Sequence, residues 1–222
     1  MADELRTRFR FPHPSKADEE GLLAIGGDLR PGTLLLAYRN GIFPWTTHPI
    51  TWWSPDPRAI IEIDGLHVSR SLRRTIRGGR FRASFDTAFR RVMEGCAAPR
   101  RRDSEEGGGT WISPEFISAY ERLHGLGYAH CVEVWNGERL VGGLYGVSIG
   151  SFFAGESMFS AETDASKVAM AHLFDRLKAL GFTLFDCQLM NPHLAFMGAV
   201  EIPRADYLAR LSEAVAAPAC WT

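Results

Sequence analysis

No C-x-x-C pair occurs among the four cysteines Cys96, Cys131, Cys187 and Cys220, and no H-E-x-x-H among the seven histidines. Without metal-ligand spacing or a paired-cysteine framework, reduced thiols and no metal site are expected. No run of about 18 uncharged apolar residues is present, which argues against a membrane span. Met1 to Arg10 is charged rather than apolar, so it does not read as a secretory signal, and a cytoplasmic location is expected. A Walker loop, a Ser-His-Asp signature and a nucleophilic-cysteine context are all missing. No internal repeat or long low-complexity tract is visible.

What remains is an ordinary globular composition. The 222 residues are 45% apolar and 23% charged, enough for a substantial core in one large domain or two unequal ones. The net charge of −1 conceals an asymmetry. Arg58 to Arg102 holds 12 arginines, no lysine and 4 acids, a segment of +8 that leaves −9 elsewhere. Guanidinium forks match phosphate oxygens, which suits a nucleic-acid backbone. A solvated helix face with local acid partners accounts for the same charges.

Punctuation divides the chain. A helix is predicted from Pro31, with Leu34, Leu35 and Tyr38 on one face and Gly41 closing it. The proline-dense stretches Ile42–Trp45 and Trp52–Arg58 predict fixed, extended loops. A small N-terminal domain, residues 1–62, is expected before a larger one, 63–222. In the larger part, helices are predicted over Ser69–Arg77, from Asp86 as N-cap, from Ser113 as N-cap, over Ala165–Leu180 and over Ala205–Val215. Arg100–Gly109 reads as a loop. Ala129–Trp135, Leu140–Val147, Ser151–Phe159 and Phe182–Gln188 read as strands, the first two joined at Asn136-Gly137. This order indicates an α+β fold.

Three clusters can carry chemistry. Asp186 and Gln188 alternate with Cys187 on an apolar strand and share a face with Leu184. A carboxylate there costs several kcal/mol to desolvate unless partnered, so it faces a cleft or a hydrogen-bond network, or else holds a loop. Glu156 is the one acid in Phe152–Phe159. By alternation it shares a face with Met158, suiting it to grip an α-amino group beside an apolar pocket; a buried acid paired to an arginine is the plainer account. The aromatic set Tyr38, Trp45, Trp52, Trp53, Trp111 and Tyr120 suits base stacking, though core is the commoner fate of such residues. Arg122–Gly127 matches R-x-x-G-x-G, but it ends a helix instead of opening one, so its glycines read as a C-cap and not as a coenzyme A loop.

With these residues in view, the chain resembles leucyl/phenylalanyl-tRNA–protein transferases from about Phe11 to Leu211. The resemblance rests on Gly21–Leu29, Gly41–Trp45, Trp52–Arg58, His67–Ser71, Gly109–Ile112, Gly142–Gly146, Gly155–Ser160, Ala165–Lys167 and Asp186–Gln188, in the family's order. It implies a small N-terminal domain followed by a GNAT-like acyltransferase domain without coenzyme A. No cofactor and no metal are implied. The donor is aminoacyl-tRNA carrying Leu, Phe or, less often, Met, and the acceptor is a protein or peptide with N-terminal Arg or Lys. The product is marked for degradation by the N-end rule.

The matching positions imply that Asp186 and Gln188 act on the attacking amine and that Glu156 holds the donor's α-amino group. Leu144, Phe153, Gly155, Met158, Met170, Leu173 and Phe185 would take the donor side chain. Tyr38, Trp45, Trp111 and Tyr120 would surround the terminal adenosine. Arg70, Arg74 and Arg77 would meet the tRNA backbone. Ala161, Leu173 and Phe196-Met197 depart from the family's usual residues. A monomer is the default, because no long apolar stripe is left over. The rivals are a coenzyme A acetyltransferase and a non-catalytic tRNA-binding protein.

Overall fold

A computed structural model describes residues 4–98, 112–219 and 221. The first part of the chain forms β1 (Leu22–Ile25), α1 (Pro31–Arg39), β2 (Phe43–Thr47) and β3 (Ile50–Trp53). Pro31 opens α1, where a missing N–H loses no bond, and Gly41 follows its end at φ 73°. A side chain at Gly41 would strike Leu208 and Tyr207 at 2.6 and 3.0 Å, so the glycine also permits close packing. Phe43–Trp45 and Trp52-Trp53, expected within loops, are instead strand residues of a three-stranded sheet of order β1-β3-β2, whereas Ser54–Pro57 is the loop the prolines predict. Pro44 is tolerated in β2 because β2 is an edge strand.

The remaining elements are β4 (Arg58–Ile61), α2 (Arg70–Arg77), β5 (Arg82–Phe85), α3 (Phe89–Ala97), α4 (Pro114–Gly125), β6 (Ala129–Asn136), β7 (Arg139–Ile149) and β8 (Phe152–Ser160). They continue with α5 (Ala165–Ala179), β9 (Leu184–Gln188), α6 (Pro192–Phe196), β10 (Val200–Ile202) and α7 (Arg204–Ala216). A seven-stranded sheet runs β10-β4-β9-β8-β7-β6-β5. Among the described residues only β8 and β9 pair in parallel, and α5 makes the crossover between them. β4 arises before residue 62 yet lies between β10 and β9 in this larger sheet.

Strand alternation sorts the core into two layers. Cys131, Tyr145, Phe152, Ala154 and Leu184 pack with residues of α1, α3, α4 and α7. Val132, Leu144, Phe153 and Phe185 pack with α2 and α5 on the other face. Ser113 caps α4 by accepting from Phe116 N, as its spacing predicts. Asp86, however, does not cap α3. It sits at φ 59°, and its carboxylate accepts from Cys131 N, His130 and Trp221. Glu133 Oε1 instead accepts from Thr87 N and Ala88 N, each at 2.8 Å. The Arg100–Gly109 loop lies outside the described residues.

One glycine governs how closely β7 and β8 approach. A Cβ at Gly146 would lie 2.2 Å from the Ala154 carbonyl oxygen and 2.4 Å from the Phe153 ring. Backbone cannot yield there, so Gly146→Ala should destabilise the fold by about 1–3 kcal/mol or more. Urea unfolding measures this; a midpoint unchanged from the parent protein would refute the packing argument.

Candidate active site

The parallel pairing of β8 with β9 ends at Ala154↔Asp186. Glu156 and Gln188 lie two residues beyond on their respective strands, and a side-chain bond bridges them: Gln188 Nε2 donates to Glu156 Oε1 at 2.8 Å. Both strands are irregular at this place. Tyr145 pairs with Ser157 and Gly146 with Gly155, so Glu156 is the extra residue of a bulge. Ala59 pairs with Gln188 and Ile60 with Asp186, which leaves Cys187 as the extra residue on β9. Bulges re-aim side chains. The alternation that put Glu156 and Met158 on one face therefore fails. Met158 packs against the α5 layer, while Glu156 turns to the tyrosines of α1 and α4.

Tyr120 donates to Glu156 Oε2 at 3.0 Å, and the Tyr38 and Tyr120 hydroxyls are bonded to each other. Burial and the nearby Glu156 charge hold both phenols well above their ordinary pKa, so both remain protonated donors. Burial also pushes the Glu156 carboxyl up to about 7, against the downward pull of bonds from Tyr38, Tyr120 and Gln188, while the charge of Asp186 adds to the rise.

Asp186 is 0% exposed and fully engaged. Its Oδ1 accepts from Arg58 Nε and from Gln188 N, both at 2.8 Å. Its Oδ2 accepts from an Arg58 terminal nitrogen at 2.7 Å and from the Tyr207 hydroxyl at 2.9 Å. Arg58 is 1% exposed, lies over the rings of Phe43 and Tyr207 at 4.9 and 4.5 Å, and donates to the Gly41 carbonyl. Burial alone would lower its pKa; Asp186 and Tyr207 outweigh that, and the guanidinium stays charged. Gln188 holds φ 68°, a left-handed conformation costing about 1–2 kcal/mol outside glycine. A hydrogen bond to a charged acceptor, at about 1.5–3 kcal/mol, offsets it. Burial raises the Cys187 and Cys131 thiols, so neither is a ready nucleophile.

The structure thus joins Glu156, Gln188 and Asp186 in one network. Arg58 and Tyr207 were not singled out from sequence. Arg58 had been counted with the arginine field, and only its place after Trp52–Pro57 and opposite β9 reveals its partner. Leu144, Phe153, Met170, Leu173 and Phe185 are buried together, with half-buried Met158 against them. A Cβ at Gly155 would meet the Phe185 ring at 2.8 Å, so Gly155 admits that ring. Trp45 is half-buried and edge-on to Trp53 at 5.0 Å, while Tyr38 and Tyr120 are buried. Trp111 lies outside the described residues. Arg70, Arg74 and Arg77 are exposed along α2, and none forms an ion pair among the described residues. Two surface hollows, of about 560 and 360 Å³, lie beside α4 without touching Glu156, Asp186 or Gln188, so the network and not hollowness marks the site.

The fold also gathers Asp86, His124 and His130, which sequence spacing did not. Asp86 bonds His130 at 2.9 Å, and His124 Nδ1 faces the Ala129 carbonyl at 2.8 Å, so protein contacts engage these atoms.

Because the Glu156 pKa is raised on folding, its contribution favours the fold fully below the unfolded value of 4.5 and is lost as pH rises through about 7. Relative to the parent protein, Glu156→Gln should therefore gain stability between these pH values and hold that gain above them. Tm against pH for both proteins tests this; a constant difference would mean the carboxyl is not shifted.

Two family models and several known proteins match this chain. The model of the leucyl/phenylalanyl-tRNA protein transferase family matches residues 60–212, and that of its N-terminal domain residues 27–56. A protein of Aromatoleum aromaticum with that transferase name is 56% identical over 96% of this chain and 90% of its own length. One from Anaeromyxobacter sp. (strain K) is 53% identical over 94% and 89%. Among solved structures, a GCN5-related N-acetyltransferase from Kribbella flavida superposes with TM-score 0.38 at 12% identity, over 77% of this chain and 60% of that one. That score is too low to bear on fold or function. The extent of the family match and the identity across nearly the whole length establish that the chain belongs to the leucyl/phenylalanyl-tRNA–protein transferase family.

Proposed function

We propose that this enzyme moves a leucyl or phenylalanyl group, and less often a methionyl group, from aminoacyl-tRNA to the α-amino group of a protein with N-terminal Arg or Lys. The observation that carries it is the Glu156–Gln188–Asp186 network at the bulged ends of two parallel strands. A binding protein has no need of a half-buried carboxylate and amide held in this way.

The chemistry is ester aminolysis. The neutral amine attacks the ester carbonyl, a C–N bond forms, and the ester C–O bond breaks. The tRNA 3′-terminal oxygen leaves and takes up the proton the amine loses. An N-terminal amine with a pKa of about 7.7–8 has a useful neutral fraction at pH 7. The ester is already activated, so no cofactor is required. Alignment of amine and ester then becomes the main task, an effect that can supply roughly 7–11 kcal/mol. Gln188 contacts the incoming amine, and Glu156 holds the donor's α-amino group. Asp186 orients Gln188; four donors already occupy its oxygens, which disfavours it as a direct base.

The donor side chain is assigned to the layer of Leu144, Phe153, Gly155, Met158, Met170, Leu173 and Phe185, entered past Met158. Trp45 and Trp111 are assigned to the terminal adenosine, and Tyr38 and Tyr120 act there by setting Glu156. Arg70, Arg74 and Arg77 face the tRNA backbone. A GNAT-like catalytic portion over residues 63–222, completed by β4 from the segment 1–62, goes with this function. So do a monomeric state, a cytoplasmic location and entry of the product into N-end rule degradation. No helix among the described residues is long and apolar enough to cross a membrane.

The direct test is transfer of labelled leucine from Leu-tRNA to an Arg-terminal peptide. The protein should catalyse it, and Gln188→Ala should lower single-turnover transfer by about 100-fold, the scale of lost alignment. No transfer by the parent protein would end the proposal, and a Gln188→Ala rate near the parent's would end that residue's role. Charge reversal of Arg70, Arg74 and Arg77 together should weaken tRNA binding and flatten its salt dependence. Parent-like affinity in that triple variant would remove α2 from the tRNA surface.

A further inference from the structure

The hydrogen bonds of the site close into a ring. It starts at the end of α1, where the Gly41 carbonyl accepts from Arg58 at 3.1 Å. Arg58 holds both oxygens of Asp186. Asp186 accepts from the Gln188 backbone, and the Gln188 side chain donates to Glu156. Glu156 accepts from Tyr120, whose hydroxyl is bonded to that of Tyr38. Tyr38 belongs to α1, three residues before Gly41. Tyr207, from α7, braces the ring at Arg58 and Asp186.

In this ring, only the Gln188 and Glu156 side chains are not fully buried; Tyr38, Tyr120, Arg58 and Asp186 are sealed. The polar atoms of the sealed groups are taken up by bonds within the ring, and through those bonds they fix the two that are not sealed. The Gln188 backbone is the sensitive point. It stands in a left-handed conformation at a strand irregularity, and its N–H has the Asp186 carboxylate as acceptor. If the carboxylate rotates, the amide of Gln188 and its bond to Glu156 move together. The direction of the carboxylate is set by the planar fork of Arg58 on one side and by the Tyr207 hydroxyl on the other.

From this geometry we infer that Arg58 and Tyr207 are positioning residues for the transfer reaction, acting through Asp186 to aim Gln188. The inference rests on the function proposed above. Tyr207→Phe is the sharpest probe, because it removes one hydroxyl while leaving the ring under Arg58 and the ion pair intact. It should lower kcat for leucyl transfer by about tenfold with KM for Leu-tRNA within about twofold of the parent's, the pattern of a mis-aimed group. In a Gln188→Ala background the same substitution should change kcat less than about twofold, because the group it aims is gone.

Losses that multiply in the double variant, or a parent-like kcat for Tyr207→Phe, would overturn the inference. Should Tyr207→Phe not fold, Arg58→Lys, which keeps the charge and loses the fork, enters the same cycle with the same two outcomes. A parent protein without transferase activity would overturn the functional proposal itself, whereas an active parent with multiplying losses would overturn only the positioning role.

Discussion

Two opposite charges lie in the interior, Arg58 at 1% exposure and Asp186 at 0%, and the site is arranged around them. Removing such a pair from water costs several kcal/mol per ion, and attraction compensates only when the geometry is good and the remaining donors are satisfied. Both conditions hold. The guanidinium meets the carboxylate with two bonds, finds the Gly41 carbonyl with a third nitrogen, and lies over two aromatic rings. The carboxylate is completed by Tyr207 and the Gln188 backbone. Four separate stretches of chain converge here, so the pair also ties the first segment to the larger sheet.

The second carboxylate has the opposite character. Among the described residues Glu156 has neutral donors around it and no arginine, and burial lifts its pKa to about 7. One acid is thus paired with an arginine, while the other lies among tyrosines and an amide with its pKa raised by burial. Glu156 keeps the face of Phe152 and Ala154, toward α1 and α4, and the extra residue at this point is what sends Met158 to the opposite layer.

The same sorting applies to residues that look alike in the sequence. Arg58 is an interior ion, whereas Arg70, Arg74 and Arg77 are exposed on α2. Tyr38 and Tyr120 are buried donors to the site, whereas Trp45 reaches the surface. Residue type sets what each side chain can do, and burial decides whether it does so toward solvent or toward a neighbour.

Helices α1, α2, α4 and α5 were legible because local features bound them: Pro31, Ser69, Ser113 and Gly181 act within a few residues of themselves. The β6–β7 hairpin was legible for the same reason, through Gly137 at φ 59°. The acid–amide trio could be picked out because charge in an apolar strand is conspicuous at once. What failed was whatever depended on distant partners. Asp86 had the chemistry of an N-cap, but His130 and Trp221, brought in from elsewhere, took its oxygens. Pro44 reads as a loop unless β2 is known to be an edge. The chain by itself determined its family, most of its element types and the acid–amide trio that the fold brings into one network. Only the tertiary structure decided which arginine is buried, which way Glu156 faces and what fills the oxygens of Asp186, because bulges, register and ion pairing are set by partners on other elements, more than a hundred residues away in the case of Arg58 and Asp186.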